Sequence, residues 1–261
     1  MDYKIAVRSY NRSNTIKKTL KILEDDGILK SLIYIFCPLN QILEYKSING
    51  NDYHYIDGGD KGTNYCNKLI NNYFELNDYI IQMDDDINGV YQLTTTKYKD
   101  VIKRKVGDDP KLPLGLIKKS VLEIIIEGKR QMEETLLNIW GMYPVNNYYF
   151  MKNNITYDLR FCIGRIFGFI NTKDIYTVDD CRDDYERSIL YYERDGGIIR
   201  FNKYVCDADT YIGAGGLAEI RTIDKMKKSV DYMLNTYPQY VGVKKTKGKY
   251  PEIMLFRSSK S

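Results

Sequence analysis

The chain has 261 residues, 43% of them hydrophobic, and a formal net charge of +4. That length suits one α/β domain, read here as a single unit with a nucleotide-binding half over 1–95, an acceptor half over 96–240 and a basic tail over 241–261. One histidine, His54, and five scattered cysteines with no C-x-x-C pair leave little material for a multi-histidine metal centre, a Ser-His-Asp mechanism, a zinc cage or a disulfide framework, so carboxylates must carry most acid-base or metal chemistry.

Lys4 to Val7 reads as a first strand, with no cleavable signal pattern before it. Ser13 is a candidate helix N-cap, followed by Ile16, Leu20 and Leu23 at helical spacing and a stop at Gly27. Leu32 to Phe36 is a buried second strand, and Tyr53 to Ile56 a third. Asn64 to Phe74 is helical, and Tyr79 to Met83 is a fourth strand. Alternating strand and helix predict a parallel sheet with helices on both faces. Lys111 to Met132 contains a helix, Leu159 to Ile170 a strand and turn, Asp183 to Tyr192 a helix, Ile198 to Val205 a strand, and Leu217 to Leu234 the last long helix. No apolar run reaches spanning length, so the expectation is a soluble, intracellular protein with no membrane partner. Abundant Tyr, Ile, Asn and Lys fit an AT-rich coding genome such as that of a phage or large DNA virus.

Three carboxylates in a row, Asp84-Asp85-Asp86, close the fourth strand. They repel one another, and a divalent cation bridging phosphate oxygens supplies the missing charge. The carboxyl end of a parallel strand is also where open α/β sheets bind ligands. Two further loops should converge on that edge. Arg8-Ser9-Tyr10-Asn11-Arg12 follows the first strand; its arginines suit phosphate, and Tyr10 or Asn11 suits a base or ribose. Gly58 to Asn64 opens a helix whose N–H groups favour an anion, although its spacing is neither a P-loop nor G-x-G-x-x-G and a plain tight turn reads equally well. Downstream, Asp183-Asp184-Tyr185-Glu186-Arg187 offers a carboxylate to deprotonate an acceptor hydroxyl, and the same acids suit a helix start. Arg187, Arg194, Arg200 and Arg221 are unranked candidates to neutralise a leaving diphosphate. Trp140-Gly141-Met142-Tyr143-Pro144 reads as an aromatic turn lining the site, His54 as a core histidine, and Lys244 to Lys249 as a solvated basic end. The modest charge permits nucleic-acid binding without requiring it.

In this order the elements resemble glycosyltransferases of the GT-A fold, an α/β class with a mixed, mostly parallel sheet flanked by helices. The likeness rests on Ile5-Ala6-Val7-Arg8-Ser9-Tyr10-Asn11-Arg12, the helix start from Gly62 to Asn67, and the D-x-D pattern in Gln82-Met83-Asp84-Asp85-Asp86. Farther on, Trp140 to Pro144, Asp184-Tyr185-Glu186-Arg187 and Gly215-Gly216-Leu217 are similar to one branch, the TET/JBP-associated glycosyltransferases, which are linked to glucosylation of hydroxymethylated DNA bases. The resemblance implies a nucleotide-sugar donor, UDP-glucose, and a hydroxymethylated pyrimidine in DNA as acceptor. Asp84 would contact the ribose, and Asp86, with Asp84, would hold Mn2+ or Mg2+ on the diphosphate. Arg8 and Asn11 would line the nucleotide pocket, beside Arg12, Gly62, Asn64 and Asp85. Asp184, or Asp183 or Glu186, would be the base of an inverting displacement. Many such enzymes add a C-terminal histidine to the metal shell; here the only histidine is His54, so either water or a carboxylate such as Asp207 or Asp209 would complete it, or metal binding would be weak until the donor arrives. A glycan-building transferase, a nucleotidyltransferase and a non-catalytic nucleic-acid module are the rival readings.

Overall fold

The computed structural model describes residues 2–94, 115–147, 149–209, 222–245 and 251–256. The first residues of the helices expected from Lys111 and Leu217, together with Tyr148, Gly215, Gly216, Arg221 and the basic run from Thr246 to Lys249, lie outside them.

Strands β1 (Lys4–Arg8), β2 (Ile33–Cys37), β3 (His54–Asp57) and β4 (Tyr79–Asp84) pair in parallel in the order β3-β2-β1-β4. A strand covered on both faces is mainly apolar, and in β4 every residue from Tyr79 to Met83 is buried, the one polar side chain, Gln82, being paired with Asn67. The chain leaves β1 through α1 (Lys17–Asp25) to reach β2, passes α2 (Ile42–Asn49) to β3, and returns through α3 (Thr63–Tyr73) to β4 on the other side of β1. The carboxyl ends of β1 and β4 therefore flank a topological switch point, where a crevice opens. Arg8 and Asp84 are register partners at that edge.

Past β4 the sheet continues through β9 (Ile166–Ile170), β7 (Ile139–Tyr143), β10 (Ile199–Ala208), β5 (Ile87–Leu93) and β6 (Leu116–Lys118), with β8 (Ile155–Thr156) beside β10. Strands β5, β8 and β9 run against the others, so the sheet is mixed and mostly parallel, as expected. Alternation along β1 sends Ile5 and Val7 to one face and Ala6 to the other. α1 and α4 (Val121–Thr135) cover the first face, and α3 and α5 (Asp183–Asp195) the second. Each fully buried Ile, Leu or Phe there contributes roughly 1.5–3 kcal/mol. A third cluster joins Ile189 of α5 to α6 (Ile223–Thr236) and the antiparallel pair β11 (Val241–Lys244) and β12 (Glu252–Leu255). Among the described residues no helix is long and apolar enough to cross a membrane.

Three local expectations are corrected. Trp140 does not line a site: Ile139–Tyr143 is strand β7, and the indole is fully buried. Its ring lies over Gly168 of β9 and Gly128 of α4, where a Cβ on either would come within 2.3 Å of Nε1. Its Nε1 donates to Tyr79 Oη (2.7 Å), which donates to the Ile125 carbonyl (2.9 Å). His54 is exposed on the outermost strand, its ring stacked on Tyr34 with centroids 4.4 Å apart. Ser13 does not cap α1; its hydroxyl donates to Glu44, and the helix starts after a further turn, at Lys17.

Candidate active site

A cleft of about 470 Å³ opens at the switch point. One wall is the end of β4. Asp84 Oδ1 accepts from Arg8 Nη2 (2.7 Å), while Arg12 Nη1 reaches both Asp85 Oδ1 and Asp86 Oδ2 at 3.0 Å. Asp85 Oδ2 also accepts from Ser9 Oγ (2.6 Å). Thr19, fully buried on α1, donates to the Asp84 carbonyl and accepts from the Ile87 N–H, both at 3.1 Å. One hydroxyl thus bridges two backbone groups of the turn that carries all three aspartates.

The facing wall is the start of α5. Asp183 Oδ2 accepts from Asn67 Nδ2 and Arg187 Nη1, each at 3.2 Å, and lies 3.7 Å from Arg8 Nη1. Asn67 Oδ1 accepts from Arg8 Nη1 (3.0 Å). Arg8 therefore sits on the cleft floor between the two carboxylate walls. Burial opposes its charge, but Asp84 and Asp183 outweigh burial, and its pKa is raised. Asp184 lines the cleft, only partly buried, with Phe161 and Tyr185 beside it, their rings 4.2 Å apart. Asp183 is thus held by two arginines and an amide, while Asp184, whose Oδ1 accepts the Tyr185 N–H (3.0 Å), lines the cleft beside it.

Glu186 serves another purpose. It is 1% exposed and is not part of the cleft lining. One carboxylate oxygen accepts the N–H groups of Val178 (2.6 Å) and Asp179 (2.9 Å), and the other accepts Tyr232 Oη (2.7 Å) and Tyr237 Oη (3.1 Å). It ties α6 to the loop before α5 and is corrected from candidate base to structural anchor. Glu186→Gln turns an acceptor oxygen into a donor facing donors; it is expected to cost on the order of 2–3 kcal/mol, read as a lower denaturation midpoint, with nucleotide binding unchanged.

The anion expected at the start of α3 is replaced by the protein's own carboxylate. Asp180 Oδ1 accepts from the Asn64 N–H (2.9 Å), and a Cβ on Gly62 would fall 2.8 Å from that oxygen. Gly62 lines the cleft, whereas Asn64 lines a smaller pocket behind it. Asn11 also stays off the cleft lining: it turns the chain at φ 55° and exchanges hydrogen bonds with Gln41. Arg187, Arg194 and Arg200 stand apart from the lining too; the cleft's arginines are Arg8, Arg12, Arg165 and Arg182. Arg182 is a strut, donating to Ser229 Oγ (2.6 Å) and to the Met226 (3.2 Å) and Pro251 (2.6 Å) carbonyls. Sequence reading missed Arg165, Arg182, Thr19 and Asp180, which carry no periodicity and find their partners only through the fold.

For a divalent cation the donor set is chemically apt but sparse. Burial raises the Asp86 carboxyl, and the charges of Asp84 and Asp209 raise it further, so the wall is short of positive charge. Among the described residues no three His, Cys, Asp or Glu side chains form a ready metal cage. Such a wall suits an ion held by one or two carboxylates and completed by phosphate oxygens. Of the proposed extra ligands, Asp209 lines the cleft and pairs with Lys18 (2.8 Å), while Asp207 accepts from Asn146 (3.2 Å).

Burial pushes the Asp85 carboxyl up to about 6, against the pull of the Ser9 hydrogen bond and of Arg12. A raised folded pKa means a stability contribution that is full below the unfolded value, about 4, and lost as pH rises through about 6. Asp85→Asn abolishes that titration. In metal-free buffer the Tm of the variant relative to the native protein is expected to rise from about pH 4 to about pH 6 and then level off. A difference constant across that range would remove Asp85 as the titrating group.

No protein-family model and no curated protein sequence matches the chain. Solved structures do. The chain is similar to S. aureus TarS residues 1–349 at 13% identity and a TM-score of 0.51, over 90% of this chain and 66% of that one, just under two thirds of its length. It is similar to glucosyl-3-phosphoglycerate synthase from Mycobacterium tuberculosis, solved in complex with Mn2+, UDP and phosphoglyceric acid, at 8% identity and a TM-score of 0.54, over 99% of this chain and 87% of that one. Identities this low speak to the fold alone, which is that of the GT-A nucleotide-diphospho-sugar transferases.

Proposed function

We propose that the protein is a metal-dependent glycosyltransferase that moves a sugar, glucose in the favoured case, from a UDP-sugar to an acceptor hydroxyl with inversion. The observation that carries this reading is the cleft itself: within a GT-A fold, three aspartates at the end of β4 face the carboxylates at the start of α5 across the switch point. Tyr10 and the β1 loop would take the base and ribose, and Asp84 the ribose hydroxyls. Arg8 and Arg12 set positive charge beside the diphosphate. Asp86, with Asp84, would hold Mn2+ or Mg2+; when bound, the cation supplies charge against the departing diphosphate. Asp184 takes the proton of the acceptor hydroxyl as the new bond to the anomeric carbon forms and the bond to the diphosphate breaks.

The TET/JBP resemblance implies a hydroxymethylated pyrimidine in DNA as acceptor. The lining of the cleft favours a neutral, carbohydrate-like acceptor instead. It carries eight carboxylates against four arginines, which disfavours a polyanionic backbone, and the Phe161–Tyr185 pair offers a stacking surface next to Asp184.

The test is nucleoside diphosphate release from a panel of nucleotide-sugars with Mn2+, with oligosaccharide acceptors and with hydroxymethylated DNA. Release stimulated by an oligosaccharide supports both parts of the reading. Stimulation by DNA alone would replace the acceptor. Pyrophosphate release from a nucleoside triphosphate would make the protein a nucleotidyltransferase and overturn the proposal, as would failure to release or bind any donor.

A further inference from the structure

Resting on the donor site just proposed, we infer that Arg12 is a built-in substitute for the divalent cation, covering Asp85 and Asp86 in the free protein and leaving Asp86 when metal and diphosphate arrive together. A single nitrogen, Nη1, bridges the two carboxylates at 3.0 Å each, in the manner of an ion. The three side chains are 16%, 5% and 12% exposed, so water screens the pairing little. A cation at Asp86 Oδ2 and the guanidinium nitrogen already on that oxygen would repel one another in a poorly solvated pocket, so the two compete for it.

The two ends of the bridge are not equivalent. Asp85 is fixed independently of Arg12 by Ser9 Oγ at 2.6 Å, and Ser9 is itself linked to Tyr45 Oη at 2.7 Å. Asp86 stands nearer the open side of the wall and shares the cleft with Asp209. The Arg12 main chain is anchored, its N–H donating to Tyr45 Oη (3.0 Å), so the side chain alone has to swing. A diphosphate gives that guanidinium a bidentate partner at least as good as the carboxylate it gives up. The exchange leaves every charge partnered: the cation takes the place of Arg12 at Asp86, and Arg12 follows the phosphate. Metal and nucleotide therefore bind with positive coupling, and the free protein binds metal poorly. Reciprocity requires that each ligand tighten the other by the same factor.

The test is Mn2+ binding, read from loss of the free-ion EPR signal, for the native protein and Arg12→Gln, without nucleotide and with saturating UDP. Without nucleotide the variant is expected to bind Mn2+ at least about tenfold more tightly than the native protein, within the usual range of site-to-site coupling, and the gap should narrow with UDP. Equal or weaker binding by the variant without nucleotide overturns the role of Arg12 and leaves the donor site standing. No Mn2+ binding by either protein, even with UDP, overturns the metal site and this inference together. Should Arg12→Gln fail to fold, the native protein decides the matter. The Arg12 Nε–H resonance, identified by its loss in Arg12→Lys, is expected to shift on adding Mg2+ with UDP and to stay in place with Mg2+ alone. An unmoved resonance with both ligands bound overturns the inference.

Discussion

Asp86→Asn is expected to lower turnover on the order of 10³-fold while leaving the fold intact. The substitution keeps the shape of the side chain and removes its charge. Losing the main protein ligand of a cation that stabilises the departing diphosphate costs several kcal/mol of transition-state energy, and each 1.36 kcal/mol is tenfold in rate. Stability should not fall. Asp86 is a buried carboxyl whose pKa is raised by burial and by like charges, so neutralising it relieves a penalty, and Arg12 keeps Asp85 as a partner. Initial rates over a Mn2+ titration, together with a thermal melt, check both halves. An unchanged rate would remove the metal assignment.

Asp184→Asn should lower kcat by about 10²–10⁴-fold with donor affinity nearly unchanged, because a general base acts in the transition state and hardly at all in the ground state. The neighbouring carboxylate gives a contrast. Asp183 is bound into the Arg8, Asn67 and Arg187 network, so replacing it disturbs the cleft floor and should weaken donor binding as well. The split between KM and kcat distinguishes the two. Loss of donor binding in Asp184→Asn equal to its loss in kcat would count against its role as base.

The first four strands were legible in the sequence because parallel strands inside a sheet are written as short, mainly apolar runs. Tyr79 to Met83 ending at three aspartates located both a strand and the edge of a sheet, and the order of strands set the switch point. The second half of the chain was legible only in part. Trp140 is flanked by residues that favour turns, and the glycines that admit its ring, Gly128 and Gly168, are separated from it along the chain. Asp183, Asp184 and Glu186 share one helix turn and so look alike in sequence; Asp184 lines the cleft, while Glu186 points to α6 because helical rotation turns it there. The α3 start read as an anion site, and it is one in the chemical sense, but the anion is Asp180, 116 residues on.

The spacing of the sheet pairings also governs how the cleft comes into being. Strands β1 to β4 are complete by Asp84, and with their helices they form a locally connected unit. The opposite wall is joined to it across long stretches of chain: Asn67 meets Asp183 across 116 residues, and Arg8 meets the Gly164 carbonyl across 156. During synthesis the first unit emerges and can collapse well before β9 exists. Until β9 arrives, β4 presents an unpaired, mostly apolar edge, the kind of strand that templates association between copies. The cleft is thus among the last parts of the molecule to be assembled, and the slow, long-range closure of β9 and β10 sets the interval during which a half-made chain is exposed to misassembly.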